Sequence, residues 1–322
     1  MRLGIIGTNF ISDRLCDAAR FADGVEIAAV YSRRLDTGRA FAEKNGIKKV
    51  YTDLDEMLAG STVDAVYVAS PTFYHAAHSV KAMRAGKHVL CEKMMAATHP
   101  EFCLMRSTAK ETGTVLLEAM RPAHDPAYDL VRQSLPRLGK IRRATLEFCQ
   151  YSSRYDRFKN GVLTNAFDPK LKNSALSDIG IYPLHVAISL FGKPKTASGA
   201  SVFMENGFEG AGTLTLGYKD MTASIVYSKI SDSVNPSVIE GELGSLLINK
   251  ISAPTRLTLK LRGEPSEDID FNTPDNNMIF ELEAFRDMTE GKRDPAPYLE
   301  LTDRTQLIVD GIYRSVGISR YF

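Results

Sequence analysis

Cysteine, net charge and long apolar stretches are all scarce in this chain, and tryptophan is absent. Its four cysteines (Cys16, Cys91, Cys103 and Cys149) are scattered over 322 residues. None forms a Cys-x-x-Cys pair, and none stands at a histidine spacing that suits zinc. A disulfide framework is therefore excluded and no metal site is expected; the thiols read as small buried hydrophobes in a reduced, cytoplasmic setting. The formal net charge is +1, so no field of one sign recruits nucleic acid or an anionic membrane. The longest apolar runs fall far short of the roughly 20 residues that cross a bilayer. The opening Met1-Arg-Leu-Gly-Ile-Ile-Gly7 enters a strand at once, and no signal peptide is expected.

What is present is an ordinary globular composition, 44% hydrophobic and 25% charged, at a length that suggests about two domains. The first 120 or so residues alternate strand and helix. Strands are expected at 3–6, 25–31, 49–51, 63–69, 89–91 and 115–117, and helices after Ser12 and at 35–44, 54–59, 74–84 and 100–111. Such alternation points to a doubly wound parallel sheet. In such sheets ligands sit outside the carboxyl ends of the strands.

The first strand-to-helix turn is the cofactor candidate. A dinucleotide fingerprint reads Gly-x-Gly-x-x-Gly/Ala, and here it becomes Gly7-x-Asn9-x-x-Ser12. Asn is the residue after glycine that best tolerates positive φ, and Ser is small enough for close helix–strand packing. The amides of Thr8, Asn9, Phe10 and Ile11 are placed to hold a pyrophosphate at a helix N-terminus. The second strand ends in Tyr31-Ser32-Arg33-Arg34, with no acid before Asp36. An acid there would hold the ribose of NAD, whereas a hydroxyl and two guanidiniums suit the extra phosphate of NADP. NADP is therefore expected ahead of NAD. The fourth strand ends in Ala69-Ser70-Pro71, with His75 shortly after; Ser70, Pro71 and His75 would border the nicotinamide side of the crevice, although a lone histidine at a helix start is usually just a polar first-turn residue.

The stretch Lys87-His-Val-Leu-Cys-Glu-Lys-Met94 organises the rest. Its apolar run is a buried strand, and Glu92 and Lys93 follow at the carboxyl end, where a reacting group belongs. Ala69-Ser-Pro-Thr-Phe-Tyr-His75 and Ala85-Gly-Lys-His-Val-Leu-Cys-Glu-Lys93 together resemble the glucose–fructose oxidoreductase / inositol dehydrogenase / MocA family. Its pattern is Ala-Thr-Pro-Asn-x-x-His followed by Ala-Gly-Lys-His-Val-Leu-Cys-Glu-Lys-Pro. The likeness continues through Glu118-Ala-Met-Arg-Pro122 and the second half. It implies a Rossmann domain and an NAD(P)-dependent oxidoreductase acting on a carbinol or carbonyl carbon. Met94 departs from the pattern, which has proline there, usually after a cis bond. A cis bond to a non-proline residue costs about 2.5–4 kcal/mol, so the Lys93–Met94 bond is expected to be trans.

Beyond Pro122 the pattern changes to period two, at 144–149, 212–217 and 222–227, with a Lys219-Asp220 turn and further short strands at 238–240, 246–248 and 257–261. Consecutive strands with short turns make an open, mainly antiparallel sheet in an α+β domain. The division is 1–121 for the dinucleotide-binding domain and 122–322 for the substrate and oligomerisation domain, with the last helix free to pack back on the first. Asp178-Ile-Gly-Ile-Tyr-Pro-Leu-His185 reads as a helix running to about Leu190. Asp178, Tyr182 and His185, at i, i+4 and i+7, then share one face, either as a proton-handling set or as a capping Asp above two half-buried residues. Two amphipathic helices, 277–290 and 301–315, close the chain.

The resemblance matches this second motif, Asp-x-Gly-x-Tyr/His-x-x-(Asp/Asn/His), and implies roles. Lys93 handles the proton of the reacting hydroxyl, with Tyr182 as the alternative donor. Asp178 orients substrate and tunes Lys93, His185 binds a substrate hydroxyl, and Glu92 bonds locally to backbone or ribose. The glycine triplet usual before the motif is replaced by Asn173-Ser174-Ala175. The partner implied is a small carbohydrate-like molecule, and the assembly a homodimer or higher homo-oligomer. Arg121, His124, Arg154, Tyr155 and Asn165 are pocket or surface residues. A non-catalytic NAD(P)-binding regulator of the same fold is the alternative; Lys93, Asp178 and Tyr182 together argue for an enzyme.

Overall fold

The computed structural model describes residues 1–318. They fall into two compact units, Met1–Arg121 with Asp275–Thr302, and Pro122–Pro274 with the chain from Asp303 onward.

The first unit begins β1 (Arg2–Ile6), α1 (Phe10–Ala19), β2 (Glu26–Tyr31), α2 (Leu35–Asn45), β3 (Lys49–Tyr51), α3 (Leu54–Ala59), β4 (Ala65–Val68), α4 (His75–Arg84), β5 (His88–Glu92), α5 (His99–Thr112) and β6 (Leu116–Ala119). The strands form a six-stranded sheet in the order β3-β2-β1-β4-β5-β6, parallel throughout. The strands read as unbroken apolar runs because both faces are covered. Leu3, Ile5, Ala65 and Tyr67 face one core with Leu15 and Phe285; Ile6, Val66, Val68 and Val89 face another with Met57 and Phe102. The helices stop where the sequence says they must. Gly46 (φ +72) ends α2 and Gly113 (φ +66) ends α5 in the left-handed region. Thr98 and Glu101 form a capping box that starts α5.

The second unit carries α6 (Ala127–Ser134), β7 (Ile141–Cys149), α7 (Tyr155–Lys159), α8 (Ile181–Phe191), β8 (Thr196–Phe203), β9 (Glu209–Gly217), β10 (Thr222–Ser228), β11 (Ser237–Gly241), β12 (Gly244–Ile248), β13 (Leu257–Leu261) and β14 (Glu267–Ile269). Its eight-stranded sheet runs β14-β13-β12-β11-β7-β10-β9-β8. Every pairing is antiparallel except β7 with β10. That parallel pair is possible because the long connection from β7 carries α8 before the chain returns, and parallel neighbours need a crossover of at least a dozen residues. α8 packs on β7 and β10. β8 was not expected from the sequence; its Thr, Ser, Ala and Gly residues carry no hydrophobic signal because the strand is exposed along most of its length.

The chain then forms α9 (Met278–Thr289), which belongs to the first unit, and α10 (Ala296–Val316), within which the division between the units falls. Among the described residues no helix is long and apolar enough to cross a membrane, and no group of three or more His, Cys, Asp or Glu is placed to hold a metal ion.

Candidate active site

The turn between β1 and α1 is built around one glycine and one asparagine. Gly7 has φ +115, and a Cβ there would stand 2.7 Å from the Ala69 carbonyl oxygen. Only glycine allows this approach of two backbones. Asn9 is extended (φ −97), so its tolerance of positive φ is not what the turn uses. Instead it caps α1. Its Oδ1 accepts from the Ile11 and Ser12 amides at 3.1 and 3.2 Å, and its Nδ2 donates to Ala69 at 2.7 Å. The Ser12 hydroxyl donates to the Gly7 carbonyl at 2.9 Å, which makes this position a second tie rather than only a small residue. The Ile11 amide thus has a partner within the turn itself.

At the end of β2, Ser32 is buried and Arg33 and Arg34 are exposed. Arg34 forks onto Asp36, with Nε donating to Oδ1 at 3.1 Å, and this hydrogen bond holds Asp36 down at about 2. Arg33 is the guanidinium whose charge reaches His78. His78, which sequence reasoning missed, lies 3.0 Å from the Ser70 hydroxyl and stacks on Tyr74 at 5.7 Å. Burial pushes it down to about 4, so it stays neutral. Ser70 and Pro71 are half-buried where β4 ends. His75 is buried, with Nε2 2.7 Å from the Ser70 carbonyl and Nδ1 3.0 Å from that of Met94. It bridges the loops after β4 and β5 rather than facing an open crevice.

Lys93 is half-buried just beyond β5. Its amide donates to Glu92 Oε2 at 3.2 Å, and the Tyr67 hydroxyl donates to Glu92 Oε1. Glu92 is thus engaged locally. Burial pushes its carboxyl up, against the opposing pull of Lys93 and the Tyr67 hydroxyl. The Lys93–Met94 peptide is cis, which overturns the expected trans bond. That expectation weighed the isolated peptide alone. In the folded chain the segment is tied through main-chain atoms on both sides of the bond: Glu92 takes the Lys93 amide, His75 meets the Met94 carbonyl, and the Met95 amide donates to Glu118 Oε1 at 2.9 Å. Glu118 is buried and pushed by burial to about 7. Near this cluster lies a residue that no local motif marks. Glu281 on α9 is fully buried, neither carboxyl oxygen has a hydrogen-bond partner among the described residues, and burial raises it well above the ordinary carboxyl range, with Glu92 adding to the rise and Arg121 opposing it.

In the second unit the expected α-helix opening at Asp178 is corrected. Leu176–Gly180 is a π-helical turn that leads into α8. A π turn is wider than an α turn, so α-helical spacing does not set the face of Asp178 relative to Tyr182. The turn is shaped from beneath. A Cβ on Gly180 would lie 2.7 Å from the Tyr227 ring, the Tyr227 hydroxyl donates to Glu209 at 2.7 Å, and Glu209 takes the Leu176 amide at 2.9 Å. Asp178 is paired with Lys229 at 2.8 Å, a residue that sequence reasoning missed and that lies far away along the chain. Tyr182 is 5% exposed, with its ring 5.7 Å from that of Phe148. His185 is 2% exposed with Nδ1 unpartnered, and burial pushes it down to about 3. In place of the glycine triplet, Ser174 and Ser177 bond each other and Ser174 meets the Tyr313 hydroxyl at 3.0 Å. Of the pocket candidates, Arg121 bonds Asn277 at 3.4 Å, His124 is buried, Tyr155 stacks with Phe158 and Phe167, and Arg154 and Asn165 are exposed.

Two family models match the chain. Residues 1–120 fit the oxidoreductase family with an NAD-binding Rossmann fold, and residues 133–247 fit the GFO/IDH/MocA C-terminal domain. The chain belongs to the Gfo/Idh/MocA oxidoreductase family. Among its relatives, the scyllo-inositol 2-dehydrogenase (NADP+) IolU of Bacillus subtilis is 40% identical over 88% of this chain and 87% of the relative. The uncharacterised oxidoreductase YgjR of Escherichia coli is 34% identical over 99% and 97%. A 3-ketoreductase from Actinomadura kijaniata, solved with NADP and TDP-benzene in an open conformation, shares the fold with a TM-score of 0.86 at 24% identity, over 98% of this chain and 97% of that one. Within the Gfo/Idh/MocA pattern, this member differs at the motif's proline and at its glycine triplet. Both departures lie in segments held by the side-chain and main-chain bonds described above.

Proposed function

We propose that this protein is an NADP-dependent oxidoreductase that moves a hydride between the nicotinamide and a carbinol or carbonyl carbon of a cyclic polyol or sugar. The observation that carries the reading is Lys93, held at the carboxyl end of β5 by Glu92 and the neighbouring main-chain ties, in a family member 40% identical to a scyllo-inositol 2-dehydrogenase. The first unit fits a dinucleotide. Gly7, without a Cβ, lets the turn approach the Ala69 backbone, the amides of Thr8, Asn9, Phe10 and Ile11 stand at the N-terminus of α1, and Ser32 and the exposed Arg33 suit the extra phosphate of NADP, with Arg34 a second cation if it leaves Asp36. Ser70 and Pro71 border the ring side.

When bound, NADP supplies the hydride donor or acceptor. The protein's work is then to move a proton. In the oxidising direction Lys93 takes the proton of the reacting hydroxyl; in the reducing direction its ammonium returns one and stabilises the developing alkoxide. Tyr182 is the alternative donor. Asp178, paired with Lys229, accepts hydrogen bonds from substrate hydroxyls and so orients them. His185, kept neutral by burial, binds a further hydroxyl. A cytoplasmic homodimer completes the proposal; the first part is supported by the four unpaired cysteines, the second by the family resemblance.

The test is turnover of NADP+ with scyllo-inositol, other inositols, aldoses and trans-dihydrodiols. The proposal requires NADPH formation with at least one of them. Cofactor binding with no turnover across the panel would contradict it.

A further inference from the structure

We infer that Lys229 is the positioning residue for Asp178, holding its carboxylate as a fixed anionic acceptor for substrate and tying it to the loop that precedes it. The inference rests on the proposed role of Asp178 in substrate binding.

Lys229 stands just beyond β10, where its amide bonds the Gly210 carbonyl at 2.9 Å. Its side chain is only 4% exposed. A buried ammonium needs acceptors on every side, and this one has them. Asp178 Oδ2 lies at 2.8 Å, the Ala166 carbonyl at 2.7 Å, and the ring centroids of Phe167 and Phe208 at 4.9 and 5.1 Å. Both rings are fully buried, so the cation is clamped by scaffold on all sides but one. Asp178 is the partner that keeps exposure, 35% of its side chain. It is the charged acceptor of the cluster with surface left to meet a small molecule.

A capping role does not account for this aspartate. Asp178 sits inside the π turn, not before it, and its own amide already donates to the Ser174 carbonyl at 3.0 Å. The backbone of the turn is pinned separately by Glu209 and Tyr227. Lys229 thus leaves the helix backbone alone and fixes the carboxylate. Because the same ammonium holds Ala166, the segment 165–167 and the Asp178 side chain are set by one group.

The experiment compares Lys229→Met with the wild type, alone and in an Asp178→Asn background, using the full-length protein with NADP+ and the best polyol of the panel. On the single background, kcat/KM is expected to fall about 10- to 100-fold. Its acid limb should move to higher pH, because an aspartate that loses an adjacent cation protonates more readily. NADPH affinity should stay within about threefold. On the Asp178→Asn background the same change should cost less than about threefold. Equal losses on both backgrounds, or an unmoved acid limb, would overturn the inference. Lys229→Gln keeps a donor for Ala166 while removing the charge, and should move the acid limb in the same direction.

A readout independent of turnover is the 13C signal of the Asp178 carboxyl in the wild-type protein, assigned by its loss in Asp178→Asn. It should shift on Lys229→Met, which removes the ammonium 2.8 Å from Oδ2; a signal unmoved by that change overturns the inference. Absence of turnover with an Asp178 signal that responds to Lys229→Met would instead sink the proposed reaction and leave the ion pair standing.

Discussion

The imidazole of His75 bridges two main-chain carbonyls, with Nε2 2.7 Å from Ser70 and Nδ1 3.0 Å from Met94. Burial pushes its pKa down, so the ring is neutral and has a single N–H to donate between the two. It joins the loop after β4 to the segment that carries Lys93. Replacing it with a ring of similar volume but no donor, His75→Phe, should release Lys93 without emptying the core. We expect kcat to fall about 10-fold, the scale of a lost positioning contact, with NADPH affinity within about threefold. Steady-state kinetics with a cofactor titration checks this; a loss of NADPH affinity with kcat preserved would place His75 in the cofactor cradle instead.

Lys93→Met removes the group assigned to the proton. Turnover should fall about 100-fold or more, the usual scale for general acid–base catalysis, with NADPH binding retained. Unchanged turnover would transfer the role to Tyr182, and Tyr182→Phe would then carry the loss.

Glu118 makes stability depend on pH in a definite direction. Its folded pKa is about 7 against an ordinary 4.5. Between those values the folded protein holds a proton that the unfolded chain has lost. Its contribution is therefore fully present below about pH 4.5 and is lost as pH rises toward 7, by up to about 3 kcal/mol. Glu118→Gln keeps an acceptor for Met95 and removes the titration. Urea denaturation from pH 5 to 8 should show the variant gaining on the wild type as pH rises; parallel curves would contradict the assignment.

Glu281 is a buried acid with neither oxygen bonded, and such a group costs about 1–3 kcal/mol of stability. Glu281→Met, close in volume and apolar, should raise the melting temperature. The gain should be larger at pH 8 than at pH 5, because burial raises the carboxyl and the charged form is the costlier one. A melting temperature below that of the wild type would show that the carboxyl has a partner in solution.

The first unit was legible in the sequence because its strands are covered on both faces, so apolar runs, helix-stopping glycines such as Gly46 and Gly113, and strand-end polar residues all point the same way. The second unit was legible wherever burial alternates, as along β9 and β10, and illegible at β8, whose exposed face leaves no pattern. Of the site, Lys93 and Asp178 could be named from local motifs. Their supports could not. Lys229 meets Asp178 only because β10 returns beside β7 and the helix packs across both, and Glu281 reaches the neighbourhood of Glu92 from a helix near the end of the chain. The π turn at Leu176–Gly180 and the Lys93–Met94 peptide are set by such distant contacts too, and for that reason local spacing and isolated-peptide cost both misled.

The account stands or falls on the cofactor, and one titration tests it. The chain has 13 tyrosines and no tryptophan, so quenching of tyrosine emission and enhancement of reduced-nicotinamide fluorescence both report binding. NADPH should bind in the micromolar range and NADH at least about tenfold more weakly, since only the former carries the phosphate that we propose Ser32 and Arg33 meet. Equal or tighter binding of NADH, or no binding of either, would contradict the NADP-dependent oxidoreductase described here.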